Sequence, residues 1–435
     1  MSEWTEGSLG RLASIEIGGT PSRDIPAFWA SENAEGFPWV SIADLGPRFV
    51  SATKERITEL GVLSSNVKPV RSGTLMMSFK LTIGRAGIAA CDLYTNEAIA
   101  AFVPMPRTVD SGFLYYLLPP IARNAVTDVA IKGSTLNKQT LSKLKLRFPT
   151  DMQQQRRIAE ILSTLDEAIE QTEALIAKQQ QIKAGLMHDL FTRGVTPDGH
   201  LRPTREQAPD LYKESPLGWI PKEWGVGRLS QYLDPLAGIK PGPFGSSLTK
   251  DNYVSAGFRI YGQEQVIAGS LEIGDYFIAE AKFLEMATFE VLADDVLISL
   301  VGTVGCVLVV KPPFERGIIN PRLMRLRPAR GVVLSGFLKH LLLSANVRRQ
   351  LEILAGGGTM PVINGKIIRR LAIPLLSLNE QARMVERIDA LDDTIASSAE
   401  ALAKLHQQKH GLMHDLLTGK IRVKPDPKTL EMADG

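Results

Sequence analysis

With 435 residues the chain exceeds what one ordinary core holds and suits two domains with connecting elements. A hydrophobic share of 44% beside 22% charged residues describes a folded globular protein rather than a disordered one, and no apolar run reaches the roughly 20 residues of a bilayer span. The net charge of +3 excludes little by itself; two cysteines, Cys91 and Cys306, exclude a disulfide framework or thiolate metal site, and the start lacks the pattern of a secretory signal, so a cytoplasmic location is expected.

Residues 1–149 carry short β-type runs broken by glycine and proline, such as Phe37–Ile42 and Thr74–Phe79, with a helical segment near 112–126. They predict a first mixed α+β module. Its end is acid-free between Asp128 and Asp151, where Lys132, Lys138, Lys143, Lys145 and Arg147 fall. From 150 to 194 the apolar positions follow a heptad, with one row at Ile158, Leu165, Thr172, Gln179 and Leu186 and another at Leu162, Ile169, Ile176, Lys183 and Leu190. Thr150 with Gln153 predicts a capping box at the start, and Gly194 a stop. A helix of about 40 residues extends roughly 60 Å at 1.5 Å per residue. Residues 195–226 contain Pro197, Pro203, Pro209, Pro216 and Pro221 and predict a linker. A second α+β module follows at 227–376, with β-type runs at Val296–Val301 and Val307–Val310 and a helical segment over 334–354. It too has an acid-free basic window, Glu315 to Glu352, containing Arg316, Arg322, Arg325, Arg327, Arg330, Lys339, Arg348 and Arg349. Such windows suit surfaces that track phosphates, or ordinary solvated faces. A second heptad helix spans 377–419, with rows Met384, Leu391, Ser398, Leu405, Leu412 and Ile388, Ile395, Leu402, Lys409, Leu416. Ser377 with Glu380 predicts its capping box and Gly419 its stop, and 420–435 reads as a loose tail.

The chain repeats itself. GLMHDL at 185–190 recurs letter for letter at 411–416, an offset of 226, and the same shift aligns Gln155 with Gln381, Asp166 with Asp392 and Lys183 with Lys409. Weaker echoes run upstream: Gly112-Phe113-Leu114 with Gly336-Phe337-Leu338, Gly84–Gly87 with Gly302–Gly305, and Gly10-Arg11-Leu12 with Gly227-Arg228-Leu229. Similar helices and divergent modules suggest one scaffold carrying two specificities. Neither helix buries its stripe alone, so the two are expected to pack together. If they run antiparallel, the fold is two α/β modules joined by an antiparallel coiled coil with internal pseudo-two-fold symmetry; a stalk that dimerises separate chains is the alternative.

Catalytic signatures are missing. The sequence has no phosphate loop, zinc-spaced Cys/His set, GxSxG elbow or dinucleotide fingerprint. Asn320-Pro321 is followed by Arg322 rather than the proline and aromatic of amino-methyltransferases. Asp275 with Glu280-Ala-Lys282 is a common triplet that resembles a nuclease set only faintly. His188-Asp189 and His414-Asp415 are consecutive on helices and cannot chelate together. A non-catalytic chain with no cofactor or metal is expected.

Divergent module, helix with GLMHDL, proline-rich linker, second module and second such helix together resemble the specificity (S) subunit of type I restriction–modification systems. Pro216-Leu217-Gly218-Trp219-Ile220-Pro221-Lys222-Glu223-Trp224, running into Gly227-Arg228-Leu229, and Gly18-Gly19-Thr20-Pro21-Ser22 are similar to the starts of that family's target recognition modules. The resemblance implies that each module reads half of a bipartite, asymmetric double-stranded DNA target. It implies that the helices space the modules and dock two methyltransferase (M) subunits, with restriction (R) subunits joining the complex and supplying cleavage. Expected DNA contacts, from side chains suited to phosphates and base edges, are Thr20, Ser22, Arg23, Lys80, Arg85, Lys132, Ser134, Asn137 and Lys138 in the first module. In the second they are Lys240, Ser246, Ser247, Lys250, Gln263, Thr303, Arg322, Thr359, Asn364 and Lys366. Two other classes stay open: a protein-binding scaffold with no DNA role, and a self-contained nuclease built around Glu280 and Lys282.

Overall fold

A computed structural model describes residues 3–31, 35–127, 136–244, 246–301, 303–354 and 364–423. The chain divides into two compact units, Met1–Ala174 with Glu400–Gly435, and Leu175–Ala399. Both are α+β. Two long helices, Met152–Thr192 and Leu378–Leu417, contribute one part to each unit. Among the described residues no helix is long and apolar enough to cross a membrane.

In the first unit a five-stranded sheet has the order Ala13–Ile17, Ile99–Pro104, Leu75–Ser78, Ala86–Ala89, Phe49–Val50. All four residues of Leu75–Ser78 are buried, as expected of an inner strand covered on both faces, and its run of apolar residues is continuous rather than alternating. The unit also contains a four-stranded sheet (Glu55–Ile57, Phe37–Val40, Leu93–Thr95, Pro69–Val70) and a ribbon in which Trp4–Ser8 pairs antiparallel with Lys145–Pro149. Helix Ser111–Thr127 places Phe113, Leu114 and Leu118 in a core shared with Ile158 and Leu162 of the first long helix and Leu416 and Leu417 of the second.

The second unit repeats the plan. One sheet has the order Ile239–Pro241, Leu323–Leu326, Val296–Ser299, Val307–Val309; another, Tyr253–Val254, Phe277–Ile278, Phe258–Tyr261, Gly317–Ile319. Gly225–Arg228 pairs with Ala372–Leu375. Helices Ser335–Leu343 and Ala345–Leu354 replace the one helical segment expected over 334–354. Phe337, Leu338 and Leu341 enter a core with Leu190 of the first long helix and Met384 and Ile388 of the second. Gly336 sits so close to that second helix that a Cβ would stand 3.0 Å from Val385.

Equivalent bonds recur in the two units. Gln155, fully buried, accepts from the Asp110 amide at 2.7 Å and donates to the carbonyls of Thr108 (3.2 Å) and Pro149 (2.8 Å). Gln381, also fully buried, accepts from the Leu334 amide at 3.0 Å and donates to Val332 (3.0 Å) and Leu376 (3.1 Å). Each glutamine ties the start of a long helix to the module helix and to the strand just before it. Ser78 bonds its hydroxyl to the Thr82 carbonyl and the Arg85 amide, and Ser299 does the same with the Thr303 carbonyl and the Cys306 amide.

These bonds correct several expected registers. Gly84 (φ 81°) matches Gly305 (φ 82°), not Gly302, since each amide donates to its serine carbonyl. Leu9 bonds Leu144 as Leu229 bonds Leu371, so Gly7 rather than Gly10 matches Gly227, and Trp4 matches Trp224. Thr150 makes no capping box: its hydroxyl donates to Glu3, and Asp151 accepts the Gln153 amide instead. Ser377 accepts from the Glu380 amide, but the Glu380 carboxylate turns to Arg202, Trp224 and the Val195 amide. Gly194 and Gly419 do close the helices in left-handed geometry, at φ 65° and 74°. The stretch expected to be only a linker contains a hairpin, Tyr212–Ser215 with Gly218–Pro221, and a buried Arg202–Glu380 ion pair. The expected tail from 424 onward lies outside the described residues.

Replacing Gln381 by leucine leaves one amide and two carbonyls without partners. The expected loss is about 2–4 kcal/mol of unfolding free energy for the second unit, measured by denaturant titration of the full chain; a loss below about 0.5 kcal/mol contradicts the clamp.

Candidate nucleic-acid interface

In the first unit the structure brings Thr20, Arg23 and Lys80 around Glu97. The Thr20 hydroxyl donates to the Glu97 carboxylate, which holds it below the usual carboxylate range, with Lys80 and Arg23 adding to the effect. Arg23 is held differently from a free phosphate ligand. It forms a two-bond pair with Glu55, and its guanidinium stacks 3.8 Å from the Trp29 ring centre. Ser22 is exposed, its carbonyl accepting from the Trp29 indole at 3.1 Å. Lys80 and Arg85 are exposed on the hairpin between Leu75–Ser78 and Ala86–Ala89. Asn137 caps the short helix Lys138–Ser142 by accepting from the Thr140 amide at 2.9 Å, leaving Lys138 exposed at its first position. Lys132 and Ser134 lie outside the described residues.

The second unit gathers Gln263, Thr303 and Arg322 about the equivalent hairpin. The Gln263 amide donates to the Val301 carbonyl, and the Arg322 carbonyl accepts from the Leu300 amide at 3.0 Å. Thr303 and Arg322 are exposed. Lys240 lies 4.3 Å from the Phe289 ring centre and lines a cavity of about 360 Å³ with Arg325, Arg327 and Glu290. Ser246, Ser247 and Lys250 are exposed further along that loop. Asn364 caps Gly365–Arg370 by accepting from the Lys366 and Ile367 amides at 3.0 and 3.1 Å, and Lys366 is exposed. Thr359 lies outside the described residues.

The acid-free window of the second module is not a uniform basic face. Arg327 makes a two-bond pair with buried Asp295 at 2.8 Å, and Arg316 pairs with Glu290 at 2.6 Å. Arg325 is itself buried, its pKa lowered by desolvation and by Arg327. Sequence windows count acids along the chain, whereas the pairing of Leu323–Leu326 with Val296–Ser299 brings Asp295 to these arginines. The suspected nuclease set dissolves similarly: Lys282 pairs with Glu285 at 2.9 Å, one turn along its own helix. His188 and His414 are exposed, and the two GLMHDL copies have the same sequence of burial classes.

One cluster was not anticipated. His340 is fully buried, and its Nε2 lies 2.8 Å from Asp389, with Asp392 close by and paired to Lys183. The matching position of the first unit holds Tyr116, which donates to Asp166 at 2.6 Å while Asp166 pairs with Lys409. Burial, with Asp166 added, raises the Tyr116 pKa above the usual tyrosine range.

The family described as type I restriction modification DNA specificity domain matches residues 1–181 and 248–407. The chain belongs to that family. It is 25% identical over 412 residues, 92% of this chain and 89% of the other, to the type I restriction enzyme MjaVIII specificity subunit of Methanocaldococcus jannaschii. It is 27% identical over 327 residues, 74% of this chain and 70% of the other, to the putative MjaX specificity subunit of the same organism. The fold is that of the type I restriction–modification S subunit from M. genitalium, with a TM-score of 0.58 at 16% identity over 95% of this chain and 96% of that one. The chain is a DNA-recognising specificity subunit; catalysis in such systems lies in other subunits.

Burial pushes the His340 pKa below 6.5, against the pull of Asp389. The folded chain therefore resists a proton that the unfolded chain takes up near 6.5. This contribution to stability is complete above that pH and declines as pH falls from about 6.5 toward the lowered folded value. In His340→Gln, which keeps a donor toward Asp389, the midpoint of denaturation should vary less between pH 6.5 and 5 than in the wild type. Identical pH profiles contradict the assignment.

Proposed function

We propose that the chain reads a bipartite, asymmetric duplex target, the module of residues 1–149 taking one half and that of 227–376 the other. The long helices, over 150–194 and 377–419, run antiparallel as a coiled coil that sets the spacing of the half-sites and docks two methyltransferase subunits. Restriction subunits join through that complex. Residues 195–226 connect the two halves.

The observation that carries this reading is one ion pair made twice with the helices exchanged. Asp166 of the first helix pairs with Lys409 of the second, and Lys183 of the first pairs with Asp392 of the second. Both pairs follow the 226-residue offset. The antiparallel sense is supported by Glu173 lying 4.0 Å from His406, since the first helix advances as the second retreats. None of the twenty seam positions belongs to the exposed class, which supports a coiled coil along both helices. Half-sites on one face of the duplex lie about one turn, ~34 Å, apart.

At the modules, phosphates are expected to meet Lys80, Arg85, Lys138, Lys250 and Lys366, with Thr20, Ser22, Ser246 and Ser247 assisting. Gln263, Thr303 and Arg322 are expected to reach base edges from the second unit, and Asn137 and Asn364 cap the short helices whose first turns carry Lys138 and Lys366. Arg23 orders its loop through Glu55.

The test combines the chain with its partner methyltransferase. Sequencing that detects methylated bases should find one motif of two unlike specified halves separated by an unspecified gap. Binding of that duplex should weaken about 10³-fold or more between 50 and 200 mM salt, as expected when six or more phosphates are neutralised. A methylated motif without a gap, or affinity indifferent to salt, contradicts the reading.

A further inference from the structure

Leu81 carries two local costs. Its side chain is 91% exposed, and its backbone is left-handed at φ 59°, a region that disfavours a residue with a γ-branched side chain. The hairpin does not need leucine there. Aligning Ser78–Gly84 with Ser299–Gly305 puts Gly302, itself outside the described residues, where Leu81 stands.

The tip is also held firmly. Ser78 is fully buried and bonds both sides of the turn, accepting from the Arg85 amide at 3.1 Å and donating to the Thr82 carbonyl, while its carbonyl accepts from Gly84 at 2.9 Å. An apolar side chain is thus presented to solvent on a braced turn. Two exposed cations, Lys80 and Arg85, flank it on the hairpin, with the Glu97 carboxylate near Lys80 taken up by the Thr20 hydroxyl. Apolar surface flanked by cations suits a polyanion with an apolar interior, which describes duplex DNA. A wedge between base steps buries the leucine while the flanking cations meet the phosphates on either side.

We propose that Leu81 is a wedge that enters a base step of the half-site read by the first unit. This rests on the DNA-reading function above. The bonds made by Ser78 hold the turn that carries Leu81 before binding, so the backbone needs little ordering on contact.

The test uses the full chain assembled with its methyltransferase partner. Target duplexes, taken from the methylated motif, carry 2-aminopurine at successive positions through both half-sites. For the wild type, beyond the rises at the bases that the methyltransferase flips out for methylation, fluorescence should rise at one further step of one half-site. For Leu81→Gly that further rise should be lost, and affinity should fall roughly 10- to 100-fold, the scale of one leucine side chain no longer buried. Leu81→Met, which keeps length and apolar surface, should retain both signals. The melting temperature of Leu81→Gly should equal or exceed that of the wild type, because glycine adopts the left-handed backbone without strain. Unchanged affinity and fluorescence in Leu81→Gly overturn the wedge. So does a Leu81→Gly chain that no longer assembles with the methyltransferase, which makes Leu81 a protein contact. A wild-type complex that binds no duplex refutes the DNA-reading function itself, an outcome distinct from either.

Discussion

A 41-residue helix with an apolar stripe along one side has no stable place in water by itself, because its seam must be covered along its whole length. In this chain two such helices, both with lysine inside the seam, share that need. Lys183 and Lys409 occupy positions where a coiled coil otherwise wants an aliphatic residue. A half-buried lysine is tolerable only with a carboxylate beside it, and Asp392 and Asp166 supply one each. Sliding either helix by a turn breaks both of these ion pairs at once. The polar positions therefore fix register where the apolar ones only favour association, and the proposed spacing of the modules depends on that register.

The modules are fastened to the long helices by buried and half-buried side-chain contacts. Gln155 and Gln381 close the junction between strand, module helix and long helix with the same three bonds. Tyr116 and His340 then reach the long helices at Asp166 and Asp389. With the frame held this way, the exposed turns vary freely. The serine-braced hairpins present Lys80-Leu81-Thr82 in one unit and Val301 and Thr303 in the other on one backbone frame. Unlike tips on like frames suit the proposal that the two units read different half-sites.

How much of this was legible in the sequence depended on the range of each interaction. The heptads, the repeated GLMHDL and the two closing glycines are local patterns, and the structure contains each of them. The Arg202–Glu380 pair joins residues 178 apart and leaves no local trace, so Glu380 was read as half of a capping box and residues 195–226 as a bare linker. The same blindness made Arg325 and Arg327 look like surface charge, although strand pairing brings Asp295 to them. Trp4 and Trp224, each three residues before a glycine and five before a leucine, carried a readable signal for the start of each module. The Gly-Arg-Leu triplets at 10–12 and 227–229 stand three residues out of that register. Residue type likewise could not show that Arg23 is engaged by Glu55 while Lys80 and Arg85 stand exposed on the hairpin.

If the helices set spacing and the modules set sequence, inserting one heptad into each long helix changes the gap and leaves the half-sites as they are. Seven residues add about 10.5 Å of axis while preserving the seam, equivalent to about three base pairs at 3.4 Å each. Mapping the methylated motif of cells that express this variant with the partner methyltransferase should return the same two half-sites with a gap altered by about three base pairs. Altered half-sites, or an unchanged gap in an assembly that still methylates, contradict the account.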